Sequence, residues 1–560
     1  MKRLEIWFGA VFIFVSSQLT AATRAPVWND KGLVTSISPL ASDIGAQILR
    51  DGGTAGDAAV AVAFALAVTW PSAGNIGGGG FALVHKPDSD TTFIDYRETA
   101  PAAAGPDFYL DEKGEAVDQL SRVGYRAAGV PGTVAGMVLL HKKYGKLPWQ
   151  KLVKPARLLA TNGFIVDASL DESLKRNQSL LAKFAESRRI FFNKDRTWKR
   201  GERLVQKDLG ATLKLIENNP ENFYKGAFAK RVISEFKANG GVMVEKDLSD
   251  YKPVERQPLR KAWRGYEVVT SPPPSSGGAV LLAILGMLEN DKIEDMGPGS
   301  TDFTHLLIES MKKAFADRSV WFGDPAFVNN PLDKLLDPTY LAKRRAEISL
   351  TKAAHDIGPG DLPGEKLETT HFSIRDKTGM AVSNTYTLNG SYGAGVVLKG
   401  TGILLNNEMD DFTSKVGTSN MFGLKQGSRN LIAPGKRPLS SMTPTLIFKG
   451  KDLVMVLGAP GGPTIINSVT QTIINRLVFK MNIQQAADFP RFHHQWQPDK
   501  IWWEPFGINP DTKKALEARG HIFGDEPRQF GDIEALAWDE ERGLWTGAAD
   551  SRNGGAVVWE

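Results

Sequence analysis

The 560-residue chain contains no cysteine. That excludes a disulfide framework, a thiolate metal site, a cysteine nucleophile and a lipoprotein anchor together. Its stability must come from burial, and a chain of this length is long enough for two or three domains. An excess of one charge is also missing, since 68 basic against 63 acidic residues leave a formal +5. Basic stretches such as 194–203 are interleaved with acids, so nothing marks a nucleic-acid surface. Nor is there a membrane-length apolar run: Ile6 to Val15 falls short of the about 20 residues that span a bilayer. Lys2 and Arg3 stand before that run, with Ser16, Ser17, Gln18, Ala21 and Ala22 after it. This order predicts a signal peptide over residues 1–22 and export without a membrane anchor. The destination would be the periplasm in a Gram-negative bacterium and the extracellular space otherwise.

Other familiar chemistries are missing too. The eight histidines include no His-x-x-x-His pair with an acidic third ligand. His493 and His494 are adjacent and diverge in either regular structure. No metal is expected, and these histidines are assigned to packing and hydrogen bonding. No Gly-Lys-Ser/Thr phosphate loop occurs. Gly77-x-Gly79-x-x-Ala82 formally fits a dinucleotide fingerprint, but a helical pattern precedes it and a strand follows, the reverse of what that site needs. Asn389 to Gly393 lacks the leading glycine of a hydrolase elbow, which leaves Ser391 a poor nucleophile.

What is present is an alternation of strands and helices. Leu33 to Ile37 is strand-like, and Ser38 is placed to cap a helix whose apolar face is Leu40, Ile44, Ile48 and Leu49. An Ala-rich stretch from Asp57 to Val68 is apolar on most sides and is expected to be a buried helix. Phe81 to His85 and Thr91 to Tyr96, joined through Pro87, Asp88 and Ser89, predict a hairpin. Residues 131–345 are expected to be largely helical, broken by loops such as Ser271 to Gly278 (SPPPSSGG). A Gly/Pro-rich connector, Gly358 to Gly364, then leads almost directly into Thr369 and Thr370. Beyond it, Phe372 to Arg375 and Met380 to Tyr386 are predicted strands, and residues 467–488 a helical stretch.

A flexible connector that empties into a threonine at a strand start suits self-cleavage. Cutting between Thr369 and Thr370 would give Thr370 a free α-amine beside its own hydroxyl, base and nucleophile in one residue. An α-amine has a reference pKa of about 8, so part of it is unprotonated near neutrality. Threonines at loop-to-strand junctions are common, and this signal alone does not separate a nucleophile from an ordinary residue.

The surrounding motifs do. TTHFS at Thr369 to Ser373 resembles the processing site of gamma-glutamyltranspeptidases, members of the N-terminal-nucleophile hydrolase superfamily. DYRETAP (Asp95 to Pro101), TYTLN (Thr385 to Asn389), NNEMDDF (Asn406 to Phe412), KRPLSSM (Lys436 to Met442), GAPGG (Gly458 to Gly462) and PRFHHQW (Pro490 to Trp496) look like family motifs in family order. The resemblance implies an α+β fold, a four-layer αββα sandwich built jointly by a large subunit (23–369) and a small catalytic subunit (370–560) that remain associated as a heterodimer. It implies Thr370 as nucleophile, first in cutting the chain and then on a γ-glutamyl amide. Thr387 would orient it, and Gly461 and Gly462 would give N–H groups to the oxyanion. Arg97, Ser440 and Ser441 would take the donor's α-carboxylate, and Asn389, Glu408 and Asp411 its ammonium. Glutathione or other γ-glutamyl compounds are the implied donors, with water, an amino acid or a dipeptide as acceptor and no cofactor.

Two positions depart from, or vary within, that pattern. Glu408 stands where some bacterial members have glutamine. Phe422 stands in a lid stretch where an aromatic hydroxyl is common, and it cannot make that hydroxyl's bond to Asn389. Two other readings stay open: a cephalosporin (glutaryl side-chain) acylase on the same fold, and an exported protein that binds γ-glutamyl compounds without turnover.

Overall fold

The computed structural model describes residues 23–355, 357 and 369–560. The expected signal peptide and Gly/Pro connector lie outside these. Two seven-stranded antiparallel sheets lie at its centre. The first has the strand order Ala556–Trp559, Leu33–Ser36, Thr370–Arg375, Ala381–Thr387, Gly79–His85, Thr92–Asp95, Val254–Arg256. The second runs Val27–Asn29, Leu544–Ala549, Glu534–Asp539, Asp452–Gly458, Thr445–Lys449, Tyr266–Thr270, Leu259–Trp263. One apolar cluster fills the space between the first sheet and the N-terminal helices; another joins the two sheets to the helices Gly277–Met287, Thr301–Trp321 and Thr464–Leu477. This is the expected αββα layering. Each sheet contains strands from both sides of Thr370, so a cut there would leave two chains sharing both sheets.

The helix Ala55–Thr69 is buried along its whole length. Small alanines let it lie close to the first sheet and to the helices Pro39–Arg50 and Trp149–Asn162. Its start is fixed by a capping box: Thr54 Oγ1 accepts from the Asp57 N–H at 3.1 Å, and Asp57 accepts from the Thr54 N–H at 3.0 Å. Asp57 is therefore the third helical residue and not the first.

The sequence reading needs three corrections. In Pro39–Arg50 the buried face is Ala41, Ser42, Gly45, Ala46, Ile48 and Leu49, while Leu40 is 37 % exposed. The small residues face inward because Val62 and Val34 approach so closely that a Cβ on Gly45 would lie 2.6 and 2.9 Å from them. Second, the middle region is not only helical, for it contributes the hairpin Leu259–Trp263 and Tyr266–Thr270. Its two-residue turn, Arg264 and Gly265, has positive φ at both positions, which matches the twist of the strands. Third, residues 467–488 fall into two helices, Thr464–Leu477 and Ile483–Asp488, the second capped by Asn482.

Candidate active site

Thr370 opens the strand Thr370–Arg375 opposite Tyr386 and is 1 % exposed. That register puts Thr387 level with Thr369, whose Oγ1 donates to Thr387 Oγ1 at 3.5 Å. Thr387, expected to orient the nucleophile, thus adjoins the Thr369–Thr370 bond in the uncut chain. Thr387 Oγ1 also accepts from the Asn389 N–H at 2.8 Å, holding Asn389 at a positive φ of 76°.

A histidine adjoins Thr370, but its environment makes it a poor base. His371 is buried, with Nδ1 2.8 Å from Thr385 Oγ1 and Nε2 3.0 Å from Ser373 Oγ. Burial lowers its pKa to about 3. It has little affinity for a proton and is poorly suited to act as a general base near neutrality.

Gly461 and Gly462 have φ of 125° and 53°. Only glycine adopts the first of these without strain. A Cβ on Gly461 would also meet Thr464 Oγ1 at 2.4 Å. The two glycines lead into the helix Thr464–Leu477, whose N-terminal end favours negative charge. Gly461 lines an open cleft and Gly462 a closed pocket, and Thr369 and Phe422 line both.

The closed pocket gathers Arg97, Thr387, Asn389, Glu408, Asp411, Ser440 and Ser441 in a free volume of about 10 Å³. Space of that size holds about one water. Arg97 is 1 % exposed and bonds Glu408 through Nη1 and Asp411 through Nη2, the latter at 2.5 Å. Burial works against its charge, but the facing acids Glu408, Asp411 and Glu98 hold its pKa above the ordinary value. The residues expected to take a carboxylate and those expected to take an ammonium are thus paired with each other. A zwitterion can enter by exchanging partners, leaving no charge buried alone.

The acids pay for burial in their pKa values. Asp411 is pushed up to about 6 and Glu98 to about 7, with Arg97 opposing both shifts, and Glu408 is raised well above the carboxylate range. Among the described residues, both Glu98 oxygens and Glu408 Oε2 are buried without a hydrogen bond of ordinary geometry, and burial outweighs the lowering effect of the Glu98 N–H and Glu408 on Glu98, so a proton is retained easily in this cluster.

Phe422 is buried without the hydroxyl that a lid aromatic often carries. Its backbone is held instead: its N–H donates to Asn420 Oδ1 at 3.0 Å, and its carbonyl accepts from Gln495 Nε2 at 3.0 Å. Asn389 Nδ2 donates to the Asn407 carbonyl at 3.0 Å. His493 and His494, assigned to packing, are buried, and His493 lies 2.7 Å from Asn467 Nδ2. Ser391 lines the open cleft and is absent from the closed pocket.

Sequence reasoning missed Glu98 and Arg318. Glu98 stands within the DYRETAP motif but was passed over beside Arg97. Arg318, in the last turn of the long helix Thr301–Trp321, gave no local signal; it reaches Ser441 Oγ at 3.2 Å. The open cleft, about 590 Å³, is lined by Arg122, Arg176, Arg528, Trp70, Trp502 and Phe530, among others.

Comparisons with known proteins give the family. The family model described as Gamma-glutamyltranspeptidase matches residues 41–559. The chain is 48% identical over 512 residues to the glutathione hydrolase proenzyme of Pseudomonas sp. (strain A14), covering 90% of this chain and 89% of that one. It is 45% identical over 500 residues to the glutathione hydrolase proenzyme of Escherichia coli (strain K12), covering 88% and 86%. Among solved structures, a cephalosporin acylase from Bacillus halodurans superposes with a TM-score of 0.87 at 28% identity, covering 98% of this chain and all of that one. Matched along nearly its whole length, this chain belongs to the gamma-glutamyltranspeptidase family.

Proposed function

We propose that the protein is a self-cleaving γ-glutamyltransferase and glutathione hydrolase that acts after export, guided by residues 1–22. Thr370 Oγ attacks the carbonyl carbon of Thr369, shifting the acyl group from nitrogen to oxygen. Water hydrolyses the ester, leaving a carboxylate on Thr369 and a free amine on Thr370. Chains 23–369 and 370–560 stay together because they share both sheets. Departure of Thr369, which lines both spaces, joins the closed pocket to the open cleft.

In turnover the Thr370 hydroxyl attacks the γ-glutamyl carbonyl while the α-amine takes its proton. The N–H groups of Gly461 and Gly462 stabilise the oxyanion, a donor of this kind being worth about 10²–10³ in rate. The amine returns the proton to the leaving nitrogen. Water, or an amine acceptor in the open cleft, then releases the acyl group, and no cofactor is required.

The observation that carries the donor assignment is Arg97 held between Glu408 and Asp411 in one pocket with two serines. A glutaryl acylase is the second reading, favoured by the likeness to the cephalosporin acylase. A glutaryl group has one carboxylate and no ammonium. It would occupy Arg97 and leave Glu408 and Asp411 without a counter-charge. Matched γ-glutamyl and glutaryl anilides test this. The γ-glutamyl compound should be preferred by about 10² in kcat/KM, since an unmatched buried charge costs about 3–5 kcal/mol. Equal rates, or a glutaryl preference, would transfer the assignment to the acylase.

A further inference from the structure

The segment Ser271 to Gly278 has no part in the reaction as described, yet it wraps the serine pair from behind. The Ser440 N–H donates to the Pro274 carbonyl at 2.8 Å, and Ser276 donates to the Ser440 carbonyl from its N–H at 2.9 Å and from its Oγ at 2.7 Å. Ser275 Oγ donates to the Met442 carbonyl at 2.6 Å. Arg318 completes this seat from the helix Thr301–Trp321, donating from Nε to Ser276 Oγ at 2.7 Å and from Nη2 to Ser441 Oγ at 3.2 Å. Arg318 is 2 % exposed, and its Nη1 has no hydrogen-bond partner among the described residues.

These contacts fix the polarity of the serines. Ser441 Oγ accepts from Arg318, and Ser440 Oγ accepts from the Met442 N–H at 3.1 Å. With one lone pair of each oxygen engaged from behind, each hydroxyl has its hydrogen to offer to the pocket that both serines line. Two inward O–H donors backed by a buried cation suit an anion. Arg97 alone does not meet that need, because it already faces Glu98, Glu408 and Asp411. An incoming carboxylate would have to share that one guanidinium with three acid side chains. Burial lowers the Arg318 pKa to about 10, against the field of Asp411, and the group stays charged at neutral pH.

We propose that Arg318, seated on Ser276, is a positioning residue for the donor's α-carboxylate, acting through the Ser441 hydroxyl and supplying the pocket's second positive charge. The inference rests on the γ-glutamyl reading. It also gives the segment 271–278, which precedes the cleavage point, a task in a pocket whose serines follow it.

The test compares two donors on the mature enzyme: γ-glutamyl anilide, and 4-aminobutyryl anilide, which is the same molecule without its α-carboxylate. Arg318→Gln should raise KM for the γ-glutamyl donor by about tenfold or more, as expected for a lost charge-assisted contact, with kcat far less affected. The 4-aminobutyryl donor should change little, and Arg318→Lys should recover part of the loss. Equal losses on both donors would reduce Arg318 to a packing role, and no loss on either would remove it from the site. Should Arg318→Gln fail to mature, Ser276→Ala reads the same contact more gently. It should raise KM for the γ-glutamyl donor alone, and a uniform effect would overturn the proposal. A wild type that treats both donors alike would instead sink the γ-glutamyl reading.

Discussion

The closed pocket and the open cleft meet at Thr369 and Phe422 but are built on opposite plans. The pocket has about 10 Å³ of free space, and its buried guanidinium is already bonded to two carboxylates. The cleft has about 590 Å³, with arginines, indoles and side-chain amides on its walls. A site whose charges are already matched admits only a ligand that can replace both partners at once, which is a demanding filter. A roomy, mixed wall sets no such condition. On the proposed reading, one surface would select the acyl donor narrowly, while the other would receive amines of varied shape.

The largest effect should come from removing Thr370, the residue that follows Thr369 at the start of its strand. Thr370→Ala should remain a single chain and show no measurable turnover, because the nucleophile is gone and Thr369 still lines both spaces. A denaturing gel and N-terminal sequencing of the wild-type small fragment check this. A fragment starting anywhere but Thr370, or a variant that still divides, would break the proposed link between cleavage and the joining of the two spaces.

A smaller effect should follow from a change in the cleft wall. The Arg528 guanidinium lies 4.7 Å from the ring centre of Trp502. Arg528→Gln should lower the rate of transfer to a dipeptide acceptor by about three- to tenfold, the scale of one partly exposed charged contact. Its KM for γ-glutamyl anilide hydrolysis should stay within about twofold of wild type. A collapse in donor KM would show that the two regions are not separate.

How legible this division was in the sequence depended on distance along the chain. Thr369, Thr370 and Thr387 are set by a short hairpin register, and their motifs are contiguous. The layers followed from apolar patterning, and the Ala-rich helix announced its burial. Leu40 misled because periodicity alone does not reveal that Gly45 is the point of closest approach to Val62. The hairpin at residues 259–270 was hidden inside a helical region, although Arg264 and Gly265 were a turn signal. Arg318 and Ser276 were beyond reach, since their meeting with Ser441 depends on a long helix and a loop that are far from it in sequence. At Phe422 the sequence showed the missing hydroxyl but not the hold through its backbone N–H and carbonyl.

The smallest predicted effect concerns the cost of the closed pocket to the fold. Glu98 is fully buried, neither of its oxygens has a hydrogen bond of ordinary geometry among the described residues, and its pKa is raised to about 7, burial outweighing the nearby Arg97. A carboxyl with a raised folded-state pKa favours the folded state most when protonated. Its contribution is complete below the unfolded value of about 4.3 and is lost as pH climbs through the folded value. Glu98→Gln keeps the shape and removes the titration. The variant should therefore match wild type in Tm near pH 4.5 and exceed it by about 1–3 °C at pH 8, the gap opening between these values. Thermal scans of both proteins across that range read it directly. A variant that is less stable at pH 8 would mean that the ionised Glu98 is held by Arg97 more strongly than burial opposes it. The pocket would then be a net contributor to stability in its empty state, and its contrast with the cleft would be one of size and not of strain.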